Sequence, residues 1–123
     1  MKELQKLMNN ISDWSNKTFG DGDRSVPILH HLQKEVVEAI DMVIEFRDVR
    51  YDDSVGVGEY GRIWAKMQLE FADCLMLLLD AAQHVNISAE ELINATNHKL
   101  EVNKTRIWGK PDENGVIEHI KEE

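Results

Sequence analysis

The run Glu70-Phe71-Ala72-Asp73-Cys74-Leu75-Met76-Leu77-Leu78-Leu79-Asp80-Ala81-Ala82 constrains this chain most, because it sets two carboxylates at the head of the most apolar stretch. Read as a helix, the run is apolar nearly all round, the pattern of a helix buried on every side. Glu70 and Asp73, three apart, then share a face. Charge in such surroundings needs a partner. Glu35-Val36-Val37-Glu38 supplies a second pair at the same spacing, also set among apolar residues. Four facing carboxylates repel one another unless cations bind between them. Oxygen donors of this kind suit the hard ions Mg²⁺ and Mn²⁺. One pair on a helix is usually just solvated; two pairs, both embedded in apolar segments, favour a metal site.

A length of 123 residues, 42% hydrophobic and 30% charged, fits one globular domain spanning 1–123. The net charge of −9 argues against a broad footprint for a nucleic acid polymer, while a local basic cluster can still grip a small anion. Cys74 is the only cysteine, so no internal disulfide forms, and its apolar setting predicts a packed thiol. The first residues lack the apolar core of a signal peptide, and no apolar run reaches membrane-spanning length. A cytoplasmic protein without a membrane partner is expected.

Along the chain, Leu4, Leu7, Met8, Ile11 and Trp14 predict an amphipathic helix ending near Trp14 to Asn16, followed by a loop from Lys17 to Arg24. Asp21-Gly22-Asp23 lacks the later residues of a calcium loop and reads as a solvated turn. Ser25 then reads as an N-cap with Pro27 in the first turn. The second helix runs to about Val49, with Leu29, Leu32, Val36, Ile40 and Val43 as its core stripe and Glu35 and Glu38 beside it. Arg50 to Gly61 reads as a flexible loop or lid. It contains a literal G-x-G-x-x-G at 56–61, rejected as a dinucleotide fingerprint because a charged helix, not a hydrophobic strand, precedes it.

A third helix, about Glu59 to Val85, brings Trp64, Met67, Glu70, Asp73 and Leu77 along one side, with Asp80 one more turn along. Ser88-Ala89-Glu90-Glu91 is a capping box that starts a fourth helix, expected to end at Gly109 before Pro111. Its spacing places Lys99, Asn103 and Arg106 on one face and Lys104 on a neighbouring one. Asp112-Glu113-Asn114-Gly115 reads as a turn and Val116 to Glu123 as a short tail strand or extended arm. The fold class expected is all-α, a four-helix bundle with a short extended C-terminal tail.

Two carboxylate pairs with a face of Lys, Asn and Arg suit metal-bound phosphates. A spare carboxylate, Glu35 by choice, would deprotonate a water for in-line attack on phosphorus. A redox di-iron site would need Glu-x-x-His from two helices, and neither pair has it. His31 and the aromatic side chains Trp14, Phe19 and Trp64 are candidates for contacting a substrate base, with core packing as the competing role for each aromatic. The alternative to an enzyme is a catalytically silent helical bundle that binds nucleotide or a protein partner. The all-round apolar third helix further predicts a homodimer or homotetramer with that helix at its centre.

The sequence resembles the MazG-like all-α nucleoside triphosphate pyrophosphohydrolases over most of its length. The resemblance rests on His31-Leu32-Gln33-Lys34-Glu35-Val36-Val37-Glu38, Glu70-Phe71-Ala72-Asp73-Cys74, and Lys99-Leu100-Glu101-Val102-Asn103-Lys104-Thr105-Arg106-Ile107-Trp108-Gly109. Within that family it is most similar to the dATP/dGTP diphosphohydrolase branch known from phages, through Trp14-Ser15-Asn16-Lys17-Thr18-Phe19-Gly20 and Trp108-Gly109-Lys110-Pro111-Asp112-Glu113-Asn114-Gly115. The resemblance implies that Glu35, Glu38, Glu70 and Asp73 hold Mg²⁺ or Mn²⁺, and that Lys99, Asn103, Lys104 and Arg106 approach the triphosphate. Trp14, Asn16, Phe19, His31 and Trp64 stand beside these as candidate base contacts, and the cytoplasm expected is that of a bacterium or a phage-infected host. The resemblance implies cleavage of a dGTP or dATP substrate between the α and β phosphates. It also implies that Trp64, or the tail around His119, completes a partner subunit's pocket.

Overall fold

A computed structural model describes residues 2–121 as four helices: α1 (Lys2–Phe19), α2 (Ser25–Arg50), α3 (Val57–His84) and α4 (Ala89–Thr105). The chain is all-α, as its periodicity predicts. It divides into two compact units, Met1–Ala89 and Glu90–Glu123. No described helix is long and apolar enough to cross a membrane.

In the first unit α3 is the helix on which both others pack, α2 more extensively than α1. Along α1, Met8, Ile11, Ser12 and Ser15 are buried. The helix runs past the expected end near Trp14 to Asn16 and stops at Phe19. Thr18 Oγ1 donates to the Trp14 carbonyl at 2.8 Å, and Gly20 donates its N–H to the Asn16 carbonyl at 2.9 Å. Gly20 adopts φ 102°, a left-handed conformation that stops helices and favours glycine. The start of α2 also differs from expectation. Arg24, not Ser25, takes the cap position, Ser25 is buried inside the first turn, and Asp23 Oδ1 accepts the Ser25 N–H at 2.8 Å. That bonding to Ser25 holds the Asp23 carboxyl below its usual range.

Beyond Ser25, the buried and half-buried positions of α2 are Ile28, Leu32, Glu35, Ala39, Met42, Val43, Phe46 and Val49. Those facing them on α3 are Ile63, Met67, Glu70, Cys74 and Leu77. Apart from Val43, which flanks the row beside Met42, both sets step by alternate threes and fours, the 3.5-residue repeat that keeps a seam between two helices. The expected α2 stripe is therefore corrected. Leu32 and Val43 lie on the seam, whereas Leu29, Val36 and Ile40 are exposed. The helix is apolar on more than one face, and the true seam contains a carboxylate, Glu35.

At the loop end of this hairpin Phe46, Ile63 and Met67 form a core cluster with Met42, Val43 and Val49 around it. The Phe46 ring lies 5.4 Å from Tyr60 and 5.6 Å from Trp64. The connection is shorter than the expected Arg50–Gly61 loop, because α3 already begins at Val57. Asp52 Oδ1 organises it, accepting Ser54 N–H at 2.9 Å and Ser54 Oγ–H at 2.6 Å. A helix precedes Gly56, so the rejected glycine motif has no strand to follow.

In the second unit α4 ends at Thr105, four residues before the expected Gly109. The Asn103 carbonyl accepts both the Arg106 N–H at 3.2 Å and the Trp108 indole N–H at 3.0 Å, which closes the helix early. Gly109 instead pairs with the tail, donating to the Glu118 carbonyl at 2.9 Å beside an isolated antiparallel bridge between Trp108 and His119. The turn at 112–115 forms as expected: Asp112 Oδ1 accepts the N–H groups of Asn114 and Val116, and Gly115 sits at φ 79°. The tail is extended through Lys121 with one bridge; the final two residues assigned to it lie outside the described residues.

Candidate metal centre and adjoining cavity

The antiparallel pairing of α2 with α3 sets one step of three, Glu35 to Glu38, against another, Glu70 to Asp73. Glu35, Glu38 and Glu70 thereby converge, each offering a carboxylate oxygen within 4.8 Å of the others. Glu35 and Glu70 are half-buried, and Glu70 Oε2 is a buried oxygen with no hydrogen-bond partner. Among the described residues no Lys or Arg forms an ion pair with any of the four expected ligands. Asp73 stands outside the tight trio but close enough for its charge to act on Glu35.

The electrostatics follow from this crowding. Hydrogen bonding to Glu38 is the largest cause raising the Glu35 carboxyl above its ordinary value, with burial and the charges of Glu38 and Asp73 acting the same way. His31 Nε2, 3.1 Å from Glu35 Oε1, pulls in the opposite direction. Burial pushes the Cys74 thiol up, and the charges of Glu35, Asp73, Glu70 and Glu38 push it further. The cysteine is thus the packed, unreactive thiol its surroundings predict. An oxygen-only donor set with one orphaned buried oxygen fits a hard divalent cation.

A cavity of about 440 Å³ opens beside the carboxylates, within the size range of small-molecule sites. Glu35, Asp73 and His31 line one part of it, and Ile11, Ile28, Met76 and Leu77 give it apolar walls. Trp14 and Phe19 line it as well, their rings edge to face at 5.5 Å. At 55% and 61% exposed, neither is a core residue. Trp64 does not join this cavity; its ring packs on Phe46 near the loop end of the hairpin. Asn16 is absent from the lining and acts behind it, through Arg24.

The sequence reading missed the polar floor of the cavity. Asp80, only 4% exposed, accepts Ser12 Oγ–H at 3.1 Å and Ser15 Oγ–H at 2.6 Å. His84 Nε2 lies 3.5 Å from Asp80 Oδ1. Arg24 Nη2 donates to Ser15 Oγ at 2.8 Å and to Asn16 Oδ1 at 3.0 Å, and Arg24 Nε donates to the Gly20 carbonyl at 2.8 Å. The signal was present in the chain: Ser12 and Ser15 occupy core positions of α1, and Asp80 occupies a core position of α3. Polar residues at such positions are buried only with partners.

The residues expected at the phosphates, Lys99, Asn103, Lys104 and Arg106, belong to the second unit. Arg106 Nη1 donates to Asn103 Oδ1 at 3.2 Å, and both residues are half-buried. Lys104 Nζ pairs with Glu101 at 2.9 Å in an exposed bridge that holds it weakly.

The model of the dATP/dGTP pyrophosphohydrolase family matches residues 65–123, a span that includes Glu70, Asp73 and the Lys99–Arg106 face. The Eaa protein of Salmonella phage P22 is 36% identical over 121 residues, covering 98% of this chain and 31% of its own length. The dATP/dGTP diphosphohydrolase of Salmonella phage PMBT28 is 30% identical over 118 residues, covering 96% of this chain and 31% of its own. The chain thus spans about a third of the length of the curated relatives it matches. No solved structure matches it. The similarity to phage dATP/dGTP pyrophosphohydrolases read from the motifs is borne out.

Proposed function

We propose, on the premise of that similarity, that the chain is a metal-dependent nucleoside triphosphate pyrophosphohydrolase acting on dGTP and dATP. It cleaves between the α and β phosphates to give the monophosphate and pyrophosphate. The observation that carries this reading is the convergence of Glu35, Glu38 and Glu70, with an orphaned buried oxygen on Glu70, beside a cavity of nucleotide size. Glu35, Glu38, Glu70 and Asp73 would hold Mg²⁺ or Mn²⁺, which when bound offsets the charge of the phosphates and polarises the phosphorus under attack.

The chain's own groups supply the rest. Glu35 takes the proton of a water as its oxygen bonds to the α phosphorus; the bond from that phosphorus to the bridging oxygen breaks, and pyrophosphate leaves with the electron pair. His31, 3.1 Å away, orients the Glu35 carboxylate. Trp14 and Phe19 offer faces against which a base stacks. Lys99, Asn103, Lys104 and Arg106 are the phosphate-binding candidates of the second unit, and the chain acts as a homodimer or homotetramer in the cytoplasm of a bacterium or a phage-infected host.

Pyrophosphate release assayed across the common nucleotides, with Mg²⁺, with Mn²⁺ and with neither, tests the reading. Turnover of dGTP and dATP that requires a metal is the expected result; no turnover of any nucleotide with either metal would overturn it.

A further inference from the structure

If triphosphate binds at the carboxylates, the base falls in the part of the cavity floored by Arg24 and Asp80 and walled by Trp14 and Phe19. Stacking on aromatic rings tolerates every base, so selection must come from a polar group. Most polar groups there are already engaged. Asp80 takes the hydroxyls of Ser12 and Ser15, Ser15 Oγ accepts from Arg24, and His31 is bound to Glu35. Arg24 is engaged only in part. Its Nε and Nη2 are fixed by Gly20, Ser15 and Asn16, its guanidinium lies 5.6 Å from the Phe19 ring centroid, and among the described residues its Nη1 makes no hydrogen bond.

We infer that Arg24 selects purine triphosphates, donating from Nη1 to N7 of a base seated against Trp14 and Phe19, with Asp80 as the positioning residue that fixes Arg24 through Ser15. This rests on the pyrophosphohydrolase reading and deepens it. An arginine donates only. Both purines carry N7 as an acceptor on an edge where pyrimidines carry no such atom, and guanine adds O6 next to it. A pyrimidine in the same place leaves the Nη1 hydrogens unpaired against an apolar wall, and unpaired donors in a desolvated site are what rejects a wrong ligand.

The test compares kcat/KM for dGTP, dATP, dCTP and dTTP with that for 7-deaza-dGTP, in which a C–H group replaces N7. Loss of one specific base contact is expected to lower wild-type kcat/KM for the deaza analogue by about tenfold or more, carried mainly by KM. Arg24→Met should accept dGTP and 7-deaza-dGTP alike, and Asp80→Asn should narrow the difference between them. Equal wild-type efficiency on dGTP and 7-deaza-dGTP overturns the inference, and this comparison needs no variant to fold. So does an Arg24→Met protein that keeps the full preference. Equal turnover of all four deoxynucleotides leaves the enzyme standing and removes Arg24 as selector. Absence of all turnover overturns the enzymatic reading, and this one with it.

Discussion

Among the described residues no basic side chain pairs with Glu38 or Asp73. Glu38→Gln and Asp73→Asn are each expected to lower pyrophosphate release by about a hundredfold or more, the upper end of what losing a supporting ligand contact costs. Thermal unfolding in chelator should show either variant at least as stable as the parent, because neutralising one carboxylate relieves repulsion on its neighbours. Unfolding at a clearly lower temperature would make these side chains structural ion-pair partners instead. Glu35 gives the corresponding pH dependence. Its carboxyl is raised above the ordinary 4.5, so the folded state binds that proton more tightly than the unfolded chain does. This contribution falls as pH rises from 4.5 to the raised folded value. The stability difference between metal-free wild type and Glu35→Gln, followed by denaturant titration, should therefore shift against the wild type over that window; a flat difference would contradict the crowding.

The α2–α3 seam makes a sharp contrast between apolar residues of one helix. Phe46→Ala, at a buried seam position, is expected to cost about 3–5 kcal/mol. Ile40→Ala, at 53% exposure on the face once assigned to the core, should stay within about 0.5 kcal/mol in the same denaturant measurement. The carboxylate spacing was legible in the sequence because i and i+3 on a helix is a local relation. So were α3, the start of α4 and the 112–115 turn, each marked by local chemistry. The α2 stripe was not legible, since Val26, Leu29, Val36, Val37, Ile40 and Ile44 put apolar side chains on several faces, and only the partner helix selects one. Gly109 misled for a related reason: it serves the tail pairing, through Glu118 nine positions away. Asp80 was seen as a position on a face; its partners, Ser12 and Ser15, lie 68 and 65 residues away and only the packing of α1 on α3 brings them together.

The first unit exposes large apolar side chains on two helices: Val37, Ile40 and Ile44 on α2, and Leu69, Phe71, Leu75 and Leu78 on α3. Apolar faces of this extent are the usual mark of association, and a self-complementary dimer is its commonest form. Sedimentation at low micromolar concentration is expected to give a dimer or tetramer, and a fully active monomer there would contradict it. Relatives three times as long carry this segment within larger chains, so catalysis by the 123 residues themselves is the claim on which the rest depends. Phosphorus NMR of dGTP incubated with the chain and Mg²⁺ tests it most directly: dGMP and inorganic pyrophosphate should appear together in equal amounts and stop on chelation. Formation of dGDP with orthophosphate, or an unchanged triphosphate spectrum, would contradict it.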